Sequence, residues 1–124
     1  MLPHTYLKLE TILKSSPITT KEVNSFLDFF KHYKCGQWIY PGAVHRVTRI
    51  TIENVYLILN EAEKVGIVES YFEIICSECN KSVGKVYKSL DDIPDEYICD
   101  NCDNTNKAIE NAVLIYRMLN DEQV

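Results

Sequence analysis

Apolar residues in the first half of the chain recur every three or four positions, and over residues 67 to 75 the spacing shortens to alternation. Val23, Phe26, Leu27 and Phe30 share one helical face, and Thr19 followed by Glu22 has the spacing of a capping box. Together they predict a helix continuing to about Tyr33. The preceding segment, Tyr6 to Lys14, suits either a short helix or a short strand and is ended by Ser15-Ser16-Pro17. Cys35-Gly36-Gln37 reads as a turn, and Trp38, Ile39 and Tyr40 form an apolar stretch after it. Pro41 suits the first turn of a short helix to about Thr48, with Ala43, Val44 and Val47 as its inner face. Thr51 then caps a longer helix to about Lys64, with Ile50 and Val55 as a hydrophobic staple. Ile52, Val55, Leu59 and Ala62, with Tyr56 and Ile58, make its buried stripe.

The short gap between these last two helices resembles a helix-turn-helix. Val65-Gly66-Ile67-Val68 stops the second of them and starts a strand over residues 67 to 75. Alternation there puts Glu69, Tyr71, Glu73 and Ile75 on one face, and Ser70, Phe72 and Ile74 on the other. A second strand runs through Gly84-Lys85-Val86-Tyr87. Toward the end, Ala108, Ile109, Ala112, Val113, Ile115, Tyr116 and Leu119 predict a helix from Asn104 to Asn120 with one wide apolar face. Such a helix would cover the helical domain of its own chain, or form a homodimer or partner contact.

The sharpest chemical signal is Cys76-Ser77-Glu78-Cys79, nineteen intervening residues, and Cys99-Asp100-Asn101-Cys102. Two residues inside each pair let both thiolates reach one ion, and four thiolates fill the tetrahedral shell of zinc. A closed shell leaves no position for water or substrate, so one structural Zn2+ is expected rather than a catalytic one. Iron and redox-active pairs are the alternative uses of these cysteines. The fifth cysteine, Cys35, stands outside the pattern as a turn or core residue. Residues 74–104 thus resemble a zinc ribbon. A winged helix followed by a C-terminal zinc ribbon resembles the large subunit of transcription initiation factor E and small bacterial regulators. Only Cys76, Cys79, Cys99 and Cys102 carry that resemblance residue by residue. The expected fold class is α+β: a winged-helix-like domain over residues 1–73, a zinc ribbon over 74–104, and a packing or oligomerisation helix over 105–124.

Composition narrows the function. The chain has 124 residues, 46% hydrophobic and 25% charged, which suits a small folded protein. No apolar run reaches the roughly 18 to 20 residues that span a bilayer, and the first residues lack the order of a signal peptide. With paired cysteines of metal spacing, a cytoplasmic location without membrane contact is expected. Residues 1–70 hold eight Lys or Arg against seven Asp or Glu, whereas residues 71–124 hold five against eleven. The second part, including the acidic run Leu90 to Glu96, is therefore a poor surface for a polyanion.

Duplex DNA remains a candidate partner of the helical domain. His45, Arg46, Arg49, Thr51, Asn54 and Lys64 are its candidate contacts, and Asn60 adds a polar group, while Glu53, Glu61 and Glu63 oppose binding on the same helix. His4, His32 and His45 are scattered and no catalytic motif occurs, so neither an enzyme nor a small-molecule substrate is expected. The leading expectation is a non-enzymatic regulator with a DNA-binding helical domain. The alternative is a protein adaptor or small subunit of a larger complex, meeting its partner through the ribbon and C-terminal helix.

Overall fold

The computed structural model describes residues 3–99 and 101–119. Helix α1 spans Pro3–Lys14. The ambiguous first segment is helical because Thr5, Leu9 and Leu13, spaced four apart, all turn into the core. Ser15 and Ser16 end it by donating their hydroxyls to the Ile12 carbonyl at 2.9 and 2.8 Å. Helix α2 (Thr20–Phe30) begins with both halves of the expected capping box. The Glu22 amide donates to Thr19 Oγ1 at 3.1 Å, and the Thr19 amide donates to Glu22 Oε1 at 2.9 Å. Its face Val23, Phe26, Leu27 and Phe30 is buried, with the rings of Phe26 and Phe30 stacked at 4.5 Å. The helix stops at Phe30, short of Tyr33.

Strand β1 (Trp38–Ile39) leads into α3 (Pro41–Thr48), and α4 follows over Ile52–Lys64. Proline opens α3, and Thr51 caps α4 by accepting the Asn54 amide at 3.4 Å. Ile50 and Val55 are both fully buried. One expectation fails on α3: its inner face is Pro41, Val44 and Thr48, while Val47 is 63% exposed. Counting about 100° per residue from Pro41, Val47 lies about a quarter-turn from the centre of that line. Gly66, at φ +80°, ends α4 in a conformation that costs glycine little, and its amide returns to the Glu63 carbonyl.

The remaining strands are β2 (Val68–Ile75), β3 (Ser82–Tyr87), β4 (Glu96–Ile98), β5 (Thr105–Lys107) and β6 (Ala112–Met118). They form a four-stranded sheet of order β1-β6-β2-β3 and a separate ribbon, β4-β5. The expected helix over Asn104–Asn120 is thereby corrected. Its described part is β5, a 3-10 turn at Ile109–Asn111, and β6; Asn120 and residues 121–124 lie outside the described residues. Trp38 pairs with Arg117 and Ile39 with Tyr116, and the Leu119 amide donates to the Ile67 carbonyl at 3.0 Å. A strand with neighbours on both edges reads as a short continuous apolar run, and such a run has no period that separates it from a helix.

The chain divides into two compact units: residues up to 69 together with the strand end from Tyr116, and residues 70–115. The first is an α+β unit with a helix-turn-helix-like bundle. Its core includes Leu13, Phe26, Phe30, Ile39, Ile50, Ile58, Leu59 and Tyr116. Tyr116 keeps its hydroxyl satisfied by donating to Asn60 Oδ1 at 2.6 Å. In the second unit the buried apolar set is much smaller, chiefly Ile74, Ala108, Ile115 and the cysteines Cys76 and Cys99.

Candidate metal centre

Two tight turns with the same local geometry hold the cysteines. In the first, the Cys76 amide donates to the Lys81 carbonyl at 2.9 Å, and the Asn80 amide donates back to the Cys76 carbonyl at 2.8 Å. In the second, the Cys99 amide donates to the Asn104 carbonyl at 2.9 Å, and the Asp103 amide donates to the Cys99 carbonyl at 2.8 Å. Each turn needs a left-handed residue directly after its second cysteine. Asn80 (φ 59°) and Asp103 (φ 60°) fill those places, and they are among the non-glycine residues that tolerate them best. Sequence reading found the cysteines and missed these two. The signal was present in the matching orders Cys-Asn-Lys and Cys-Asp-Asn.

The four sulfur atoms lie within 4.8 Å of one another, with Cys76 Sγ 3.5 Å from Cys102 Sγ and Cys79 Sγ 3.7 Å from Cys99 Sγ. A zinc–sulfur bond of about 2.3 Å places tetrahedral thiolates about 3.8 Å apart, so the donor set fits such an ion. Cys76 and Cys99 are buried, Cys79 is partly covered, and Cys102 is exposed. Among the described residues, this is the one cluster of three or more His, Cys, Asp or Glu able to hold a metal.

The protonation pattern points the same way. The Cys79 amide, helped by that of Glu78, pulls the Cys76 thiol down to about 6 against the opposing effect of burial. At Cys102 the Asn104 amide lowers the pKa, but desolvation and the three neighbouring thiols outweigh it and push the group up to about 12. Cys79 is also raised, its Lys81 amide outweighed by desolvation and by Cys99 and Cys76. The backbone thus favours a first thiolate, while the accumulating negative charge resists the last. A divalent cation removes that resistance. Tyr97 braces the centre by donating its hydroxyl to the Ile75 carbonyl at 3.2 Å, and desolvation followed by the cysteine charges raises its own pKa. Cys35 takes no part and sits exposed in the turn before β1.

The residues considered for nucleic acid are placed on α3, the following turn and α4. Arg49 adopts φ 66° just after α3, and its amide caps the His45 carbonyl at 3.0 Å. The His45 ring donates Nδ1–H to the Ile50 carbonyl at 2.6 Å, which ties the histidine to the turn. Thr51 is engaged as the α4 cap, and Asn54 Nδ2 lies 3.5 Å from the Pro17 carbonyl. Lys64 is paired with Glu61 at 3.0 Å. Arg46 and Arg49 are exposed. Six groups near one another in sequence thus divide into two exposed arginines and four engaged in bonds within the helical unit.

No helix among the described residues is long and apolar enough to cross a membrane. No family model matches the chain, and neither a curated protein nor a solved structure matches it.

Proposed function

We propose that the protein is a non-enzymatic regulatory module that acts by binding another protein, and that one structural zinc holds its Cys76/Cys79/Cys99/Cys102 unit together. The helical unit has the element order of a winged helix: α2, β1, α3, α4, then β2 and β6 beside β1 in the order β1-β6-β2. On this reading the zinc module is inserted into the chain between β2 and β6, where a winged helix carries its wing. A module of this kind serves as an adaptor or a small subunit of a larger assembly.

The observation that carries protein rather than DNA recognition is the outward side of α4. It presents Glu53, a Leu57 that is 41% exposed, and a Lys64 already paired with Glu61. A helix that reads the major groove needs donors toward base edges and cations toward phosphates. An apolar residue flanked by carboxylates suits a protein surface better.

Duplex binding is the second reading, favoured by the exposure of Arg46 and Arg49 at the turn. The test is binding of the metal-loaded chain to a mixed-sequence duplex library across a salt series. The expected result is no salt-dependent duplex binding. Two arginine–phosphate contacts would instead give a logarithmic salt slope of about −1.8. That slope, lost in Arg46→Glu and Arg49→Glu, would overturn the protein-binding reading.

A further inference from the structure

The unit of residues 70–115 carries two hollows that share Pro94 and Glu96. The first, about 280 Å³, has apolar walls from Ile74, Tyr97, Ile98 and Ala108. Ile98 is 65% exposed, the most exposed large apolar side chain in the chain's described residues. The second, about 270 Å³, is formed on the acidic loop by Ile93, Pro94, Asp95 and Glu96, with Lys107 opposite Glu96 in the β4-β5 register. Asp91, Asp92, Asp95 and Glu96 are all exposed, and none has an ion-pair partner among the described residues.

Charge tells which occupant suits them. Residues 70–115 hold four Lys against nine Asp or Glu, a balance of −5, while the rest of the chain holds nine Lys or Arg against nine acids. Four thiolates around a divalent ion add a further −2 to this unit. The negative charge of the chain is therefore concentrated in the unit that carries the hollows, and Asp95 and Glu96 line them. Lys85 in the first hollow and Lys107 in the second offset it only in part.

We propose that these adjoining hollows form a docking site for a basic segment of a protein partner. One aliphatic or aromatic side chain of that segment enters between Ile98 and Ala108, and a neighbouring Lys or Arg meets Asp95 and the acidic loop. This rests on the protein-binding reading and gives it, besides the outward side of α4, a surface in residues 70–115 with a chemistry of its own. The walls are set by the metal turns, because Ile74 lies two residues before Cys76 and Ile98 directly before Cys99.

The test uses the metal-loaded full chain to select from a displayed library of random dodecapeptides. Enriched peptides should pair an apolar anchor with at least two Lys or Arg. Ile98→Ser and Asp95→Lys should each weaken the best peptide by about tenfold with metal content unchanged, and Leu57→Ser on α4 should leave it unaffected. Failure to enrich any peptide, enrichment of acidic peptides, or full affinity in both Ile98→Ser and Asp95→Lys would overturn the docking site. Loss in Leu57→Ser alone would also overturn it while leaving protein binding intact, whereas salt-sensitive duplex binding through Arg46 and Arg49 would remove the broader reading.

Discussion

The two units of this chain differ in what they bury. The helical unit buries a full set of large side chains, with Phe26, Phe30, Ile58, Leu59 and Tyr116 among them, and its helices are capped by their own residues. The cysteine unit buries few apolar groups, and two of its most enclosed residues are Cys76 and Cys99. Small units of that kind remove too little apolar surface from water to offset chain entropy unaided, and an ion held by the four cysteines would supply the missing free energy. One chain thus joins a region stabilised by hydrophobic burial to a region whose most enclosed side chains include two of four clustered cysteines able to hold an ion. The same contrast holds for charge, since the acidic excess lies in the unit that also holds the thiolates.

The contrast can be broken most severely at the ligands. Cys99→Ser should abolish tight metal binding and open residues 76–111 to protease, while the helical signal in circular dichroism persists. A variant that still binds one ion tightly and resists cleavage would contradict this. Next in size is Phe26→Ala, which removes a fully buried ring and should cost about 3–5 kcal/mol in denaturant unfolding of the helical unit. Metal content measured under native conditions should stay at one ion per chain. Loss of the metal with the ring would mean that the units do not have separate sources of stability.

The effect of pH sharpens the coordination side. Near neutral pH the metal-free Cys76, lowered to about 6, is largely thiolate, whereas Cys102, raised to about 12, keeps its proton. Metal binding must expel that proton, so affinity rises as pH rises through the neutral range and falls on acidification. Competition with a chromophoric chelator at two pH values measures the slope, and a flat response would refute it. Smaller still, Thr19→Ala removes the α2 cap and should cost about 1 kcal/mol in thermal unfolding. Cys35→Ser, at an exposed turn, should change stability by less than about 0.5 kcal/mol and leave metal stoichiometry alone.

What could be read from sequence follows the range of the interactions. The helices α2, α3 and α4 are local objects: Thr19 with Glu22, Pro41 and Thr51 mark their starts within a few residues, and the structure has them there. The clustering of the four cysteines was equally legible, because C-x-x-C is a local geometry repeated twice. Strand β6 was not legible as a strand, because what selects it is pairing with β1, dozens of residues earlier, and with β2. Ala112 to Met118 satisfies a helical pattern as well as a buried strand, and no local turn residue decides between them. Val47 was misassigned because the apolar set of α3 is too short to fix its phase, and Thr48 takes the inward place by donating its hydroxyl to the Val44 carbonyl at 2.7 Å. The engagement of His45 depended on where Ile50 presents its carbonyl, which sequence does not encode, whereas the Lys64–Glu61 pair follows from three-residue spacing on a predicted helix.

The most direct measurement is amide hydrogen exchange of the full chain before and after removal of its metal by a strong chelator. The expected result is selective loss of protection at the Cys76, Asn80, Cys99 and Asp103 amides and along β4, with α2 and α4 exchanging as before. Unchanged protection in the cysteine turns after verified metal loss would contradict a unit held together by coordination.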